Sequence, residues 1–104
     1  MKKYDVYLPL KYNDGTEIET KELRKIERQL MAVFGAITVS PLCAPFRGTW
    51  RLGGVEFVDD IIRIEIITKE DLTTDEFFKR YKQYLKRTLR QFKILITVQD
   101  VERL

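Results

Sequence analysis

The chain has 104 residues, of which 44% are hydrophobic and 34% charged, and its formal net charge is +3. This apolar content argues against a disordered chain and is enough for the core of one domain spanning residues 1–104. With one cysteine and no histidine, the sequence excludes an intrachain disulfide, a Cys/His zinc site and the usual histidine-based triads. No apolar stretch has the length of a membrane span or a secretory signal, so we expect a cytoplasmic protein without membrane association.

A strand and a helix are the first predicted elements. Residues 4–8 alternate in character, which predicts a strand that ends at Pro9, because proline has no N–H to donate. Residues 20–34 carry apolar side chains at three- and four-residue spacing. This spacing predicts an amphipathic helix, and Gly35 is placed to close it in the left-handed conformation.

The middle of the chain predicts several strands. One strand begins over 36–39, and Gly53-Gly54 within 49–58 has the composition of a two-residue hairpin turn. Asp59-Asp60 predicts a second turn, since aspartate favours turn geometry. The β-branched run 61–68 then predicts a long strand with one apolar face.

The last elements complete a recognisable order. Thr73 and Glu76 fit a capping box, which predicts that a second helix opens there and ends near Phe92. Residues 94–98 predict a final strand. The order matches the ferredoxin-like split β-α-β sandwich, an α+β fold with an antiparallel sheet, two helices on one face and here an inserted hairpin at 49–58. This plan hosts many functions, so the fold alone does not predict one.

Charge is unevenly distributed along the sequence. Residues 56–76 carry a net charge of −6, whereas residues 77–104 carry +6. A basic stripe on the second helix could follow a phosphate backbone, or it could be an ordinary solvated face. The stripe consists of Lys79, Lys82, Lys86, Arg90 and Lys93.

A partner-binding surface is predicted around the hairpin. Aromatic and arginine side chains are typical of binding hot spots. In the alternative interpretation the single tryptophan packs the hairpin onto the sheet and the arginines lie at the surface. The predicted partner-binding residues are Tyr7, Arg47, Trp50, Arg51 and Arg63.

An acidic group and a cysteine are weaker candidates. Glu56, Asp59 and Asp60 could bind Mg²⁺ or Ca²⁺, but the pattern favours turn chemistry, and we expect neither a metal nor a cofactor. Cys43 is expected to be a buried apolar side chain rather than a nucleophile. No glycine-rich loop has phosphate-binding spacing. Catalysis is therefore disfavoured, and it would need a cleft that joins Tyr7 and Arg63 to the acidic group.

Four stretches resemble a group of small bacterial proteins of unknown function. They are YDVYLPLKYNDG with Ile18 and Glu19 following it, FGAITVSP, GTWRLGGVEFVDD and FKILITVQDVE. The resemblance implies the ferredoxin-like plan and a bacterial or phage-like origin. It transfers no catalytic residue.

These patterns favour a non-enzymatic interaction module, either self-associating as a homo-oligomer or a small subunit of a bacterial assembly, because open sheet faces and edges invite pairing. The alternative is a nucleic-acid-associated protein that binds the phosphate backbone through the basic stripe.

Overall fold

The computed structural model describes residues 1–104 and contains five antiparallel strands and two helices. In chain order the elements are β1 (Lys2–Pro9), α1 (Thr20–Phe34), β2 (Thr38–Val39), β3 (Phe46–Leu52), β4 (Val55–Thr68), α2 (Leu72–Thr88) and β5 (Leu95–Asp100). Neither helix is long and apolar enough to cross a membrane. This architecture confirms the predicted α+β, ferredoxin-like class.

The long strand β4 organises the sheet. One of its edges pairs with β1, which in turn pairs with β5. Its other edge pairs first with β3 over Val55–Ile61 and then with β2 at Ile64 and Glu65. The strands β3 and β2 therefore lie one after the other along the same edge of β4. The predicted inserted hairpin, formed by β3 and the start of β4, extends the main sheet.

The predicted turn at Asp59-Asp60 is wrong. Both residues lie inside β4, where Asp59 pairs with Gly48 and Asp60 pairs with Arg47 of β3. The ladder to β3 continues through this point without a break, so long-range pairing overrides the local turn preference of two aspartates.

Both helices cover the same face of the sheet. Alternate residues of β1 and β4 point toward them, which is the period-two pattern expected of a half-covered strand. Fully buried side chains from the two strands and two helices form one core, which includes Val6, Leu8, Ile62, Ile64, Leu30 and Leu85. The opposite face of the sheet has no helix over it.

The predicted ends are correct for α1 but not for α2. The observed bounds of α1 match the prediction, and Gly35 closes it with φ 79° and an N–H bond to the Met31 carbonyl. For α2 the cap is Asp71 instead of Thr73, because the Asp71 carboxylate accepts 2.8 Å hydrogen bonds from both the N–H and the hydroxyl of Thr73. This helix ends at Thr88, short of the predicted Phe92.

Tyrosines connect the two helices and the sheet. The Tyr81 hydroxyl donates a 2.7 Å bond to Oε1 of Gln29 on α1, and burial raises the pKa of Tyr81 above its usual range. Tyr4 on β1 donates to the Asp75 carboxylate on α2, and burial with this contact raises the pKa of Tyr4 as well. Both phenols therefore remain protonated donors that fix the helices on the sheet.

Cys43 lies in the loop between β2 and β3 and is exposed, which corrects the prediction of a buried side chain. The reason is the loop itself: β2 ends at Val39, so the chain leaves the sheet edge before it reaches the cysteine.

Candidate functional site

A cavity of about 530 Å³ lies where β1, β3 and β4 meet the segment that leads into β5. Its volume is in the range of small-molecule sites, roughly 300–1,000 Å³. Much of the lining belongs to the face of the sheet that the helices leave open. Prominent lining residues are Tyr7, Gly48, Trp50, Asp59, Lys82 and Lys93.

A second cavity, of about 550 Å³, is a weaker candidate. All its lining residues belong to one helix, α2, and include Phe77, Arg80 and Tyr84. A groove along a single helix brings together few converging polar groups, whereas the first cavity combines aromatic, acidic and basic side chains from several elements. The sheet cavity is therefore the better candidate site.

Trp50 and Asp59 form the best-defined wall of this cavity. Trp50 pairs with Phe57 in the β3–β4 register, and the two rings stack with centroids 4.5 Å apart. The indole N–H donates a 2.9 Å hydrogen bond to Oδ2 of Asp59. The same bond orients the carboxylate, whose other oxygen remains available to a ligand.

Gly48 provides the space beside this wall. It pairs directly with Asp59, and a Cβ atom added to it would lie 3.4 Å from Cδ1 of Ile61. A larger side chain would therefore press on Ile61 or project into the cavity. The glycine keeps the floor between Trp50 and Ile61 open.

Four charged side chains lie next to the cavity on the open face. They are Lys3, Asp5, Arg63 and Glu65. Their ion-pair distances run from 3.4 to 3.9 Å. Arg63 lies directly opposite Tyr7 in the β1–β4 register, so this charged cluster adjoins the cavity lining.

The predicted partner-binding residues do not form one surface. Tyr7 and Trp50 meet in the cavity, and Arg63 lies beside it with its guanidinium 5.3 Å from the Phe46 ring centroid. Arg51 lies near the hairpin tip, in an exposed ion pair of 3.7 Å with Glu56. Arg47 is exposed opposite Asp60.

The predicted basic stripe is also divided. Lys79 forms a 3.4 Å ion pair with Glu76, and Lys86 is half-buried in the last turn of α2. Arg90 lies beyond the helix, where its guanidinium stacks 4.1 Å from the centroid of the Tyr12 ring. Only Lys82 and Lys93 line the cavity.

The three residues of the acidic group diverge. Asp59 lines the cavity, whereas Asp60, the next residue of the strand, points to the opposite face. Glu56 is held by Arg51. The three carboxylates therefore do not converge on one metal position.

Several lining residues carry no sequence signal. Thr49, Gln91 and Ile94 join the cavity only because the hairpin and the α2–β5 connection meet in space. The hydrophobic pattern of the segment around Ile94 indicates a strand, which says nothing about a ligand.

Comparison with known proteins gives fold-level likenesses. No protein-family model matches the chain, and no curated protein matches it. A phage SAM lyase in the apo state has a similar structure, with a TM-score of 0.65 and 15% identity over 94% of this chain and 78% of the lyase chain. The same kind of enzyme in complex with S-methyl-5′-thioadenosine gives a TM-score of 0.64 and 15% identity, covering 95% of this chain and 80% of the other. At this identity the likeness establishes a shared fold.

These likenesses overturn the predicted non-enzymatic interaction module. The similar solved structures are those of an enzyme, a lyase, so the prediction conflicts with them and is corrected. The sequence disfavours catalysis because the chain has no histidine and no phosphate-binding loop. An enzyme would need a cleft that joins Tyr7 and Arg63 to the acidic group. The structure brings Tyr7 and Asp59 together in a cavity and places Arg63 beside it.

Proposed function

We propose that the protein is a lyase that binds an S-adenosyl sulfonium compound, S-adenosylmethionine, in the sheet cavity. The observation that carries the proposal is the convergence of Tyr7, Trp50 and Asp59 on one ligand-sized cavity, in a chain that shares its fold with a phage SAM lyase. The thioether bound in the second of the similar structures, S-methyl-5′-thioadenosine, indicates the class of product.

The lining suits both the adenosine part and the sulfonium group of such a ligand. The half-buried Trp50 ring offers a face for stacking an adenine or for attracting a sulfonium by a cation–π contact. The free oxygen of Asp59 can accept a hydrogen bond from a ribose hydroxyl or attract the sulfonium charge. The Tyr7 hydroxyl adds a neutral donor and acceptor.

The proposed reaction needs little chemistry from the protein. The bond between sulfur and the γ-carbon of the methionine part breaks, and its electron pair returns to sulfur to give neutral S-methyl-5′-thioadenosine. The substrate's own carboxylate attacks that carbon and closes a homoserine lactone, so no water or external base is consumed. Because the sulfonium loses its charge, a cavity with apolar and aromatic walls favours the transition state over the charged substrate.

Incubation of the purified protein with S-adenosylmethionine tests the proposal. We expect S-methyl-5′-thioadenosine and homoserine lactone to accumulate in equal amounts by liquid chromatography and mass spectrometry. Asp59→Asn is expected to raise the KM for S-adenosylmethionine at least about tenfold, because it removes the charge that attracts the sulfonium of the bound substrate.

Asp60→Asn is the matched control, since it makes the same change on the other face of the same strand. We expect it to keep the wild-type KM and the wild-type rate. Absence of turnover together with absence of S-methyl-5′-thioadenosine binding by calorimetry would refute the proposed function.

We also propose, in line with the sequence, a cytoplasmic protein that forms homo-oligomers and is related to the small bacterial proteins it resembles. Exposed apolar side chains on the β4 arm of the hairpin support self-association, with Val55 57% and Val58 58% exposed. Light scattering of the purified protein tests the oligomeric state, and a monomer at all concentrations would contradict it.

A further inference from the structure

The charged cluster of Lys3, Asp5, Arg63 and Glu65 is not used by the cavity itself. All four side chains come from the open face of β1 and β4, and Asp5 and Glu65 are direct partners in the register. The cluster contains two positive and two negative groups, so its net charge is zero. Such a cluster has cationic groups for the negative end of a zwitterion and anionic groups for its positive end.

Asp5 is the member that points to a missing partner. It is 6% exposed, and its Oδ1 atom is fully shielded from solvent without accepting any hydrogen bond. Nε of Arg63 lies 3.9 Å from this Oδ1 atom, too far for a hydrogen bond. A buried carboxylate oxygen without a donor is rare in folded proteins and calls for an explanation.

The remaining contacts are equally loose. Lys3 lies 3.6 Å from Asp5 and 3.4 Å from Glu65, and Arg63 lies 3.9 Å from Glu65. No hydrogen bond joins any two of the four side chains. The Arg63 side chain is 37% exposed, so the cluster can be reached from solvent. The four charged groups therefore lie close together without forming hydrogen bonds to one another.

We propose that this cluster binds the α-ammonium and α-carboxylate groups of an amino acid. The ammonium donates to Oδ1 of Asp5 and to Glu65, while the carboxylate accepts from the Arg63 guanidinium and the Lys3 ammonium. As a subsite for the methionine end of S-adenosylmethionine, the inference rests on the proposed function and extends it.

The position of the cluster fits this role. Tyr7 lines the cavity and Asp5 lies two residues earlier on the same face of β1, a separation of about 7 Å along a strand. A ligand whose nucleoside part occupies the cavity can therefore extend its amino-acid end along the strand to the cluster.

Four probes and three variants test the inference. S-Adenosylhomocysteine carries both the nucleoside and the amino-acid end, S-methyl-5′-thioadenosine lacks the latter, and L-methionine lacks the nucleoside. We expect calorimetry to show S-adenosylhomocysteine binding at least about tenfold more tightly than S-methyl-5′-thioadenosine. L-Methionine should shift the amide NMR signals of Asp5 and Glu65, whereas methioninamide, which lacks the carboxylate, should not.

Asp5→Asn and Glu65→Gln are each expected to reduce the affinity for S-adenosylhomocysteine to the affinity for S-methyl-5′-thioadenosine. Glu70→Gln, which makes the same change in a glutamate outside the cluster, should preserve the tenfold margin. Circular dichroism identifies any variant that fails to fold, and Glu65→Gln, at a less buried position than Asp5, provides a second reading.

Different failures have different meanings. Equal affinities for the two nucleosides in the wild type, or a margin that survives in both cluster variants, would overturn the subsite while leaving the proposed function in place. Binding of L-methionine at the cluster without binding of either nucleoside would support the amino-acid site and reject the proposed function.

Discussion

The indole N–H of Trp50 donates a 2.9 Å hydrogen bond to the carboxylate of Asp59, and this bond ties β3 to β4 across the wall of the cavity. Neither residue lies over the helix-covered core. The hairpin that carries them is held by its backbone ladder, by the stacking of Trp50 on Phe57, by this side-chain hydrogen bond and by the exposed Arg51–Glu56 ion pair. The geometry of the candidate site therefore depends on a few local contacts.

A double-mutant cycle measures that contact. Trp50→Phe keeps an aromatic ring but removes the donor, and Asp59→Ala removes the acceptor. We expect a coupling free energy of about 1 kcal/mol in urea unfolding, since a half-buried hydrogen bond contributes that much. The exposed Arg51–Glu56 pair on the same hairpin should couple by no more than about 0.5 kcal/mol. Strictly additive effects of Trp50→Phe and Asp59→Ala would show that the bond does not act in solution.

Filling the cavity should block ligand binding without unfolding the protein. Gly48→Leu places a branched side chain beside Ile61, and we expect the affinity for S-methyl-5′-thioadenosine to fall at least about tenfold by calorimetry. Gly48→Ala is the control, because its Cβ meets Ile61 at an ordinary contact distance of 3.4 Å. Unchanged affinity in the leucine variant would place the ligand elsewhere.

Truncating a core side chain of α1 should lower the free energy of unfolding more than truncating an exposed one. Leu30 on α1 is 0% exposed, and Leu30→Ala is expected to lower the free energy of unfolding by about 2–5 kcal/mol. Val33 on the same helix is 54% exposed, and Val33→Ala should change it by no more than about 0.5 kcal/mol. Chemical unfolding distinguishes the two, and equal losses would mean that α1 packs through a different face.

The N-cap of α2 predicts a pH dependence of stability. Hydrogen bonds from the N–H and hydroxyl of Thr73 lower the pKa of Asp71 below its usual value of 3.8. The folded state therefore favours the charged carboxylate, and its stabilising effect is present above pH 3.8 and lost as the pH falls through the lower folded value.

Asp71→Asn keeps a capping oxygen but cannot titrate. We expect wild type to melt at a higher temperature than this variant at neutral pH and the difference to shrink in acid. A difference that stays constant down to the acid limit would contradict the cap assignment.

Local patterns were sufficient to predict α1. Its apolar spacing and Gly35 are both encoded within the segment, so the predicted and observed bounds agree. The observed cap of α2 lies two positions before the predicted one, because Asp71 and Thr73 are both good capping residues and only the geometry decides between them. At Asp59-Asp60 the turn preference of aspartate gives the wrong prediction, because the pairing with β3 that keeps both residues in a strand does not show in a short stretch of sequence.

The site was predictable only in fragments. Composition drew attention to Tyr7 and Trp50 as members of one surface, and both line the cavity. Lys82 and Lys93 were assigned to a different surface, because helical spacing grouped them with residues that turn out to be paired or stacked elsewhere. Convergence of residues from both halves of the chain is a property of the sheet topology, which periodicity does not reveal.

Trp50 is the only tryptophan in the chain, and it forms part of the cavity wall. Its fluorescence therefore comes from one side of the candidate site and from nowhere else in the molecule. A ligand that stacks on the indole, or that draws Asp59 away from it, changes the emission directly, so the native protein carries its own optical reporter and needs no attached dye.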